Sequence, residues 1–309
     1  MLRRYRSGVP ALLVTGAYAV AVVAAAVVAP ATGELGPLWW PTLLAGADEG
    51  ATATSPNVLV PLLAGAAWAW GLWQGLRGPL AGPPPELDRD TRLLRQVLYA
   101  SAASTPLALV LPVWPWWAGV LTTLMTAMSV VLFQPVLGDS LQPAGFARAV
   151  GLLGYGGTAV LEVLDVLGLP VPRVLSVLCA LAALLWLALI LRAQRGDGRW
   201  RPATFRYGVA ALVAPIADGA VGELLGGVAS VYAYAPAATG VLMVIWLART
   251  AHELADPRPR PSRSEPAPAE PLPSQPVPSQ PAPAEPFPSQ PVPSGPAPSG
   301  PVPTEPPAS

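Results

Sequence analysis

The chain has 309 residues, of which 52% are hydrophobic and 12% are charged, and its net charge is zero. A typical soluble domain carries about 25% charged residues, so an ordinary soluble globular protein is excluded. Apolar runs of about 20 residues recur, which predicts an integral membrane protein built from helices. We expect no nucleic-acid partner. With one Cys and one His in the chain, we also expect no intrachain disulfide, metal or cofactor.

We predict an all-α membrane domain over residues 1–255, with eight transmembrane helices arranged as four hairpins and with both termini cytoplasmic. The 18 basic residues are all Arg, and the excess of Ala, Gly, Val and Pro is typical of a GC-rich bacterial genome. We therefore expect the bacterial cytoplasmic membrane. The predicted spans are 9–29, 57–76, 96–113, 117–137, 149–169, 174–191, 206–228 and 232–249.

The arginines decide the number of spans. With eight spans and a cytoplasmic N-terminus, 17 of the 18 Arg lie inside and only Arg173 lies outside, as the positive-inside rule requires. In a six-span alternative the segments 149–169 and 206–228 would not cross. The five arginines between 192 and 206 would then face outward, so eight spans are favoured.

The first two spans are separated by residues 30–56, the only long extracellular connection in this topology. We expect a solvated loop with a partly buried aromatic anchor; in the alternative, the apolar piece "LWWPTLLAG" (38–46) rests on the outer interface. Most of the aromatic residues fall near predicted span ends, where they are expected to act as interfacial anchors. Trp68 and Trp70 lie deeper in the second span, and they are the candidates for stacking against a ligand.

Four carboxylates fall within the predicted spans: Glu162, Asp165, Asp218 and Glu223. Each costs on the order of 3 kcal/mol near the bilayer centre, so such residues usually face a bundle interior or a water cavity. Apart from Arg206, at the opposite end of the seventh span, no Arg or His lies within the same spans to neutralise them. We interpret them as a candidate proton or cation site in the outer half of the membrane, which would form if the fifth and seventh spans adjoin. The alternative is a wet vestibule in which the acids face water.

Recognisable enzyme signatures are absent. The sequence has no His-Glu-x-x-His, no Gly-x-Gly-Asp and no aspartate-rich diphosphate-binding motif, so we expect no enzymatic activity. The small-residue segment "GYGG" (154–157) is predicted to be a close-packing or kink element rather than a phosphate loop.

Residues 256–309 are predicted to form a cytoplasmic tail. From Glu265 onward the sequence divides into nine pentapeptides of the form [E/Q/G]-P-x-P-[S/A/T], with the last copy altered. Proline at two positions in five excludes helix and sheet, so we expect disorder with a polyproline II bias. The tail is either a spacer or a docking arm for a cytoplasmic protein.

The segment "HELADP" (252–257) joins the last span to the tail and contains the only His. His252, Glu253, Leu254 and Pro257 match the phospho-acceptor box of sensor histidine kinases, which the segment resembles, whereas Ala255 and Asp256 depart from it. The resemblance implies a phosphorylated His on a dimerising helical hairpin. Because a proline-rich tail follows, we expect neither a second hairpin helix nor a nucleotide domain. We interpret the segment as the cytoplasmic overhang of the last helix, with Arg249 anchored at the lipid headgroups.

Two functions follow as expectations. The first is a proton- or cation-linked transporter that uses the outer carboxylates. The alternative is a membrane sensor or accessory subunit that presents the proline-rich tail. The oligomeric state does not follow from the sequence.

Overall fold

A computed structural model describes residues 5–43, 52–82, 85–110, 116–226 and 236–256. The regular elements of this part are helices. They are α1 (Gly8–Thr32), α2 (Gly36–Leu43), α3 (Ser55–Leu76), α4 (Arg89–Val110), α5 (Trp116–Leu137), α6 (Ala144–Gly151), α7 (Gly157–Val166), α8 (Arg173–Asp197), α9 (Pro202–Gly226) and α10 (Pro236–Leu254). The chain divides into a helical unit, Met1–Ser262, and a second unit, Arg263–Ser309. The second unit, including the predicted pentapeptides at 265–309, lies outside the described residues.

The described residues of each of the eight predicted apolar segments are mostly helical. Five stretches are both long and apolar enough to cross a membrane: Gly8–Thr32, Ser55–Leu76, Trp116–Ser140, Ala144–Val166 and Arg173–Asp197. Helices α4, α9 and α10 have comparable lengths but carry charged residues, near one end in α4 and α10 and in both halves of α9. The chain is therefore an all-helical protein, over the part described, with several helices of membrane-spanning length.

The helical surface is strongly apolar. Large side chains such as Val20, Val27, Val174 and Leu181 are more than half exposed. A soluble monomer rarely exposes such a surface, whereas a lipid-facing helix needs one. The exposed apolar residues of α1 and α8 thus agree with helices that lie in a bilayer.

The fifth predicted span is a helix with a local change of winding. Residues Leu152–Gly156 form a π-helical turn between α6 and α7. At Gly154 an added Cβ would lie 2.6 Å from the backbone nitrogen of Ala183 in α8. The prediction that 154–157 serves close packing is confirmed, because only a residue without a side chain allows α8 to approach this far.

The segment after α1 differs from the prediction. Gly33, with φ of 76°, ends α1, and the chain then forms the short helix α2, in which Trp39 is completely buried. Trp39 packs with Ala29, Leu35, Leu43 and Ala64. The expectation of a solvated loop is therefore wrong for the described part of 38–46, which is helical and packs against α1 and α3, whereas its position relative to the outer interface stays a prediction. Helix α2 buries an apolar face within the protein instead.

The core is centred on aromatic residues from several helices. Phe133 of α5 stacks on Trp246 of α10, with ring centroids 6.2 Å apart, and meets Trp186 of α8 edge-on at 5.8 Å. Tyr155, which belongs to the π-helical turn, also packs edge-on against Trp186, with 5.3 Å between the ring centroids. Such pairs contribute about 0.5–1.5 kcal/mol beyond their buried area, so they fix α5, α8 and α10 together.

Several helix ends meet at one end of the bundle. The residues before α1 bond to those after α3, since Ser7 N donates to Arg77 O at 3.2 Å. Arg199, after α8, donates to the Val136 carbonyl of α5. Arg201, before α9, bonds to Asp256, after α10. This end of the bundle therefore gathers arginines from distant parts of the sequence.

Candidate functional site

The predicted acids of the fifth and seventh spans lie in different places. Glu162 of α7 is half-buried and accepts hydrogen bonds from the Thr123 hydroxyl of α5 at 3.0 and 3.2 Å. Asp165, one turn further on, is exposed. No local pattern in the sequence marks Thr123, 39 residues away, as the partner of Glu162.

Asp218 of α9 is half-buried and accepts a hydrogen bond from the Thr239 hydroxyl of α10 at 2.6 Å. Glu223 belongs to α9, but its side chain lies outside the described part. Helix α7 packs against α5 and α8, whereas α9 packs against α8 and α10. Among the described residues, α7 and α9 do not pack extensively against each other, so Glu162 and Asp218 belong to separate hydrogen-bonded pairs.

A second polar group lies at the arginine-rich end, and Glu253 of α10 is its centre. The Glu253 carboxylate accepts hydrogen bonds from the backbone nitrogen of Arg201 at 2.7 Å and from the Thr204 hydroxyl at 2.7 Å. Arg249, one turn earlier on α10, places Nη2 3.3 Å from Glu253 Oε1. All of these side chains except that of Arg201 are buried. A buried carboxylate is tolerated only when paired in this way.

Asp256 extends the cluster beyond the end of α10. Its Oδ1 accepts a hydrogen bond from the backbone nitrogen of Leu80 at 3.0 Å, and its Oδ2 accepts one from Arg201 Nη2 at 2.7 Å. One carboxylate thus joins the segment after α3 to the segment before α9. Asp256 is the first residue of the predicted tail and the last residue that the structure describes.

The cluster holds more positive than negative charge. Arg77, Arg201 and Arg249 face the carboxylates of Glu253 and Asp256, which leaves one excess cation. Within the described residues, no carboxylate oxygen lies within 4 Å of Arg77, whose Nη1 donates to the Tyr5 hydroxyl at 2.9 Å. Burial lowers the pKa of Arg77, and the positive charge of the neighbouring Arg249 lowers it further.

Arg249 is held by three partners from three helices. Its Nη1 donates to Gln74 Oε1 at 3.1 Å, its Nε donates to Thr204 Oγ1 at 2.9 Å, and its Nη2 pairs with Glu253. The geometry uses the planar fork of a guanidinium, which a lysine ammonium does not offer. Arg249 therefore ties α3, α9 and α10 together.

His252 occupies the apolar edge of this cluster. Its Nε2 lies 3.2 Å from the Gln74 carbonyl, which only accepts, so Nε2 carries the proton. In the neutral ring Nδ1 is then an acceptor, and the Tyr99 hydroxyl donates to it at 2.7 Å. His252 is 5% exposed, and this burial lowers its pKa to about 4, from 6.5, against the opposing effect of the hydrogen bond that its ring donates to the Gln74 carbonyl.

The interpretation of residues 252–257 as an overhang of the last helix agrees with the structure as far as Leu254, where α10 ends, but the expectation that Arg249 is anchored at the lipid headgroups is wrong. Arg249, His252, Glu253 and Ala255 are buried, not free in headgroups or solvent. The histidine-kinase resemblance has no support in the contacts either, because both His252 ring nitrogens have hydrogen-bond partners. A buried, doubly bonded imidazole is not presented for phosphorylation.

An apolar cavity adjoins the His252–Tyr99 pair. It has a volume of about 220 Å³ and lies between α3, α4 and α10, with Tyr99 at one edge. Trp68, one of the two tryptophans singled out from the sequence, lines it. Trp70 does not line it, and its Nε1 donates to the Tyr207 hydroxyl at 2.8 Å. The lining also includes Gly71, Gly75, Ala102 and Ala248.

One part of the polar cluster had a visible signal in the sequence. Arg249, His252 and Glu253 are spaced i, i+3 and i+4, which places them on one face of a helix. A solvated overhang does not need such a pattern. Gln74, Thr204 and Tyr99, however, come from distant segments, and no local pattern marks them as partners.

In the described part of the chain, no group of three or more His, Cys, Asp and Glu side chains is arranged to hold a metal ion. No protein-family model matches the sequence, and no similar curated protein or solved structure is found.

Proposed function

We propose that the chain is an eight-span protein of a bacterial cytoplasmic membrane, with both termini inside, that acts as a sensor or accessory subunit. In this proposal it presents its proline-rich tail to a cytoplasmic protein. The orientation rests on the arginines, since 17 of 18 then face the cytoplasm. The tail begins on the same side.

The observation that carries the proposal is the attachment of the tail at Asp256. The Asp256 carboxylate is bonded to Leu80 N and to Arg201 Nη2, while Glu253 binds the start of α9. The tail therefore starts from a fixed point of the helical unit. Its 45 repeat residues could reach at most about 140 Å in a polyproline II conformation. A rigid attachment point and a long extended arm suit a protein that recruits partners to the membrane.

The test is affinity purification from membranes that contain either the full chain or a chain lacking residues 258–309. A partner should be captured by the full chain and lost with the tail. A synthetic peptide of residues 258–309 should compete for that partner, whereas a scrambled peptide of the same composition should not. Equal competition by the scrambled peptide would show that the tail acts only as a spacer, and the docking role would be rejected.

The Thr–carboxylate pairs favour a second candidate, a proton- or cation-linked transporter. Glu162 and Asp218 are half-buried in segments proposed to span the membrane, and each is bonded to a hydroxyl rather than to a cation. Among the described residues, neither has a basic nitrogen within 4 Å. Such carboxylates suit reversible binding of a proton or cation.

Flux into proteoliposomes distinguishes the two candidates. A transporter should lose proton or cation flux in Glu162→Gln and Asp218→Asn and should keep it when residues 258–309 are removed. Glu34→Gln is the matched control, since Glu34 is exposed and lies in the segment after α1. For an accessory subunit, neither acid substitution should change partner capture, whereas removal of residues 258–309 should abolish it.

A further inference from the structure

A small recess lined by charged side chains lies at the arginine-rich end of the bundle, and we call it the arginine recess. Its charged lining residues come from the ends of α3 and α10 and from the chain before α9: Arg77, Arg201, Arg249, Glu253 and Asp256. Pro79 and Leu80 also line it and are only half-buried. The recess therefore opens to the surface of the protein.

The two carboxylates of the recess are already satisfied by other groups. Glu253 accepts from the Thr204 hydroxyl through Oε1 and from the Arg201 backbone nitrogen through Oε2, each at 2.7 Å. Asp256 accepts from the Leu80 backbone nitrogen through Oδ1 and from Arg201 Nη2 through Oδ2. All four carboxylate oxygens therefore have donors, and none of these donors belongs to Arg77.

The guanidinium of Arg77 keeps donors that have no acceptor among the described residues. Arg77 is 9% exposed, and its guanidinium donates one hydrogen bond, from Nη1 to the Tyr5 hydroxyl at 2.9 Å. Its Nε is fully enclosed and cannot reach a ligand, whereas Nη2 is neither enclosed nor bonded. Nη1 of Arg201 is in the same state, in a side chain that is 20% exposed. Two guanidinium tips are therefore available to one acceptor in the recess.

The recess also carries a net positive charge, since three guanidiniums face two carboxylates. Arg6 adds a further cation beside it, because Arg6 is exposed and its backbone nitrogen donates to the Pro79 carbonyl at 3.2 Å. A water molecule can accept a hydrogen bond from Arg77 but cannot neutralise it. An anion does both, and hydrogen bonds between charged groups are the stronger ones. The missing partner is therefore an anion.

The size of the recess limits how such an anion can enter. The enclosed part has a volume of about 10 Å³, which is about the space that one water molecule needs. A complete phosphate group does not fit into this space, but one of its terminal oxygens does. The phosphorus and the other oxygens would lie at the mouth, beside Arg6.

The position of the recess favours a lipid as the source of the anion, and this step rests on the proposed topology. Arg77 caps α3, and Asp256 follows the end of α10. The recess thus lies at the helix ends, on the side proposed to face the cytoplasm. Lipid phosphates lie at this level, and basic pockets between membrane helices bind anionic headgroups.

We propose that the arginine recess binds the phosphate group of an anionic ligand, which is either a phospholipid headgroup or a dissolved phosphate. One phosphate oxygen enters the recess and accepts hydrogen bonds from Arg77 Nη2 and Arg201 Nη1, while Arg6 faces the remaining charge. Binding does not involve the proline-rich repeats.

The test measures binding to the full-length protein in a non-ionic detergent by isothermal titration calorimetry. Dihexanoyl phosphatidylglycerol and dihexanoyl phosphatidylcholine share their acyl chains and a phosphate, but the choline cancels the charge. Phosphatidylglycerol should bind at one site per chain and at least about ten-fold more tightly than phosphatidylcholine. Sodium phosphate is the dissolved probe. If dissolved phosphate is the natural ligand, sodium phosphate should bind and the two lipids should not differ.

Three arginine variants locate the site. Arg77→Gln should weaken binding of the phosphate-bearing probe by about ten-fold or more, the effect of one hydrogen bond to a charged group. Arg6→Gln leaves the buried cluster intact and should weaken binding by about two- to three-fold. Arg148→Gln removes an exposed charge from α6, outside the recess, and should bind as the wild type does. Circular dichroism reports whether each variant is folded, and if Arg77→Gln is not, the comparison of Arg6→Gln with Arg148→Gln decides.

Three results would overturn the inference. Equal binding of the two lipids without binding of sodium phosphate would assign the affinity to the acyl chains. Equal losses in Arg6→Gln and Arg148→Gln would indicate a diffuse surface charge rather than a site. Displacement of the bound probe by sodium chloride at comparable concentration would assign the recess to a monatomic anion. Failure of the proposed function would appear instead in tail-dependent capture, which these variants leave unchanged.

Discussion

Arg249 and Glu253 lie one turn apart on α10 and are both buried, with 3.3 Å between Nη2 and Oε1. The pair is not an isolated surface salt bridge. Thr204 bridges it, because Thr204 Oγ1 accepts from Arg249 Nε and donates to Glu253 Oε1. The position of α10 against α9 therefore depends on one carboxylate.

Removal of that carboxylate should destabilise the helical unit. Glu253→Ala leaves Arg249 with no counter-charge in a buried site, and breaking a buried pair in this way costs about 3–5 kcal/mol. We expect a corresponding loss of unfolding free energy, which can be measured by circular dichroism in detergent. Asp165→Asn removes a carboxylate that is exposed and should change stability by less than about 0.5 kcal/mol. Equal effects of the two substitutions would contradict the cluster's structural role.

His252 should make stability depend on pH. Its pKa is about 4 in the folded chain and 6.5 in a free side chain, so the unfolded chain binds a proton that the folded chain does not. The stability that depends on a neutral His252 is therefore complete above about pH 6.5. It is lost progressively as the pH falls towards about 4, and the total loss of unfolding free energy is about 3 kcal/mol.

The measurement compares melting temperatures of wild type and His252→Gln between about pH 7.5 and about pH 4.5. Carboxylates titrate in both proteins, so the difference between them isolates the imidazole. The wild type should lose more stability on acidification than the variant. Parallel pH profiles would mean that His252 is not held in its neutral form.

Close approach of two helices at Gly154 gives a prediction with a neighbouring control. A Cβ at Gly154 would meet the Ala183 backbone, which cannot move aside, so Gly154→Ala should cost about 1–3 kcal/mol by overpacking. Gly156 lies in the same π-helical turn and has nothing within 4 Å of an added Cβ. Gly156→Ala should be neutral or slightly stabilising in the same thermal unfolding measurement. A larger loss at Gly156 than at Gly154 would disprove the packing argument.

The topology can be tested with single cysteines in a Cys179→Ala background. Ser140 and Leu169 are exposed and flank the helical stretch Ala144–Val166 on its two sides. A membrane-impermeant maleimide should label Leu169→Cys in intact cells and Ser140→Cys only after permeabilisation. Labelling of both from one side would show that the stretch containing Glu162 does not cross, and the eight-span topology would be rejected.

Hydropathy located the helices well, because a run of about 20 apolar residues leaves few structural alternatives in lipid. Two aspects of the fold could not be obtained in that way. Helix α2 is short, and whether Trp39 packs inside or rests on an interface depends on neighbours from α1 and α3. The burial of residues 249–255 likewise depends on Gln74 and Thr204, which are about 175 and 45 residues away from Arg249 in the sequence.

The candidate site shows the same limit. Each membrane carboxylate could be identified from the sequence. Whether these carboxylates share a site depends on which helices pack against each other, and this could not be predicted from the sequence. The structure places α8 between α7 and α9 through its contacts with both. The arginine recess is likewise a property of several helix ends taken together.

The hydrogen bonds of Asp256 have a mechanical consequence. Asp256, the first residue of the predicted tail, is bonded to the chain after α3 and to the chain before α9. A partner that pulls on the tail would therefore load those two segments as well as the end of α10. The force would have to break the Asp256 contacts before it could unwind α10, so the attachment behaves as a clamp rather than as a loose end.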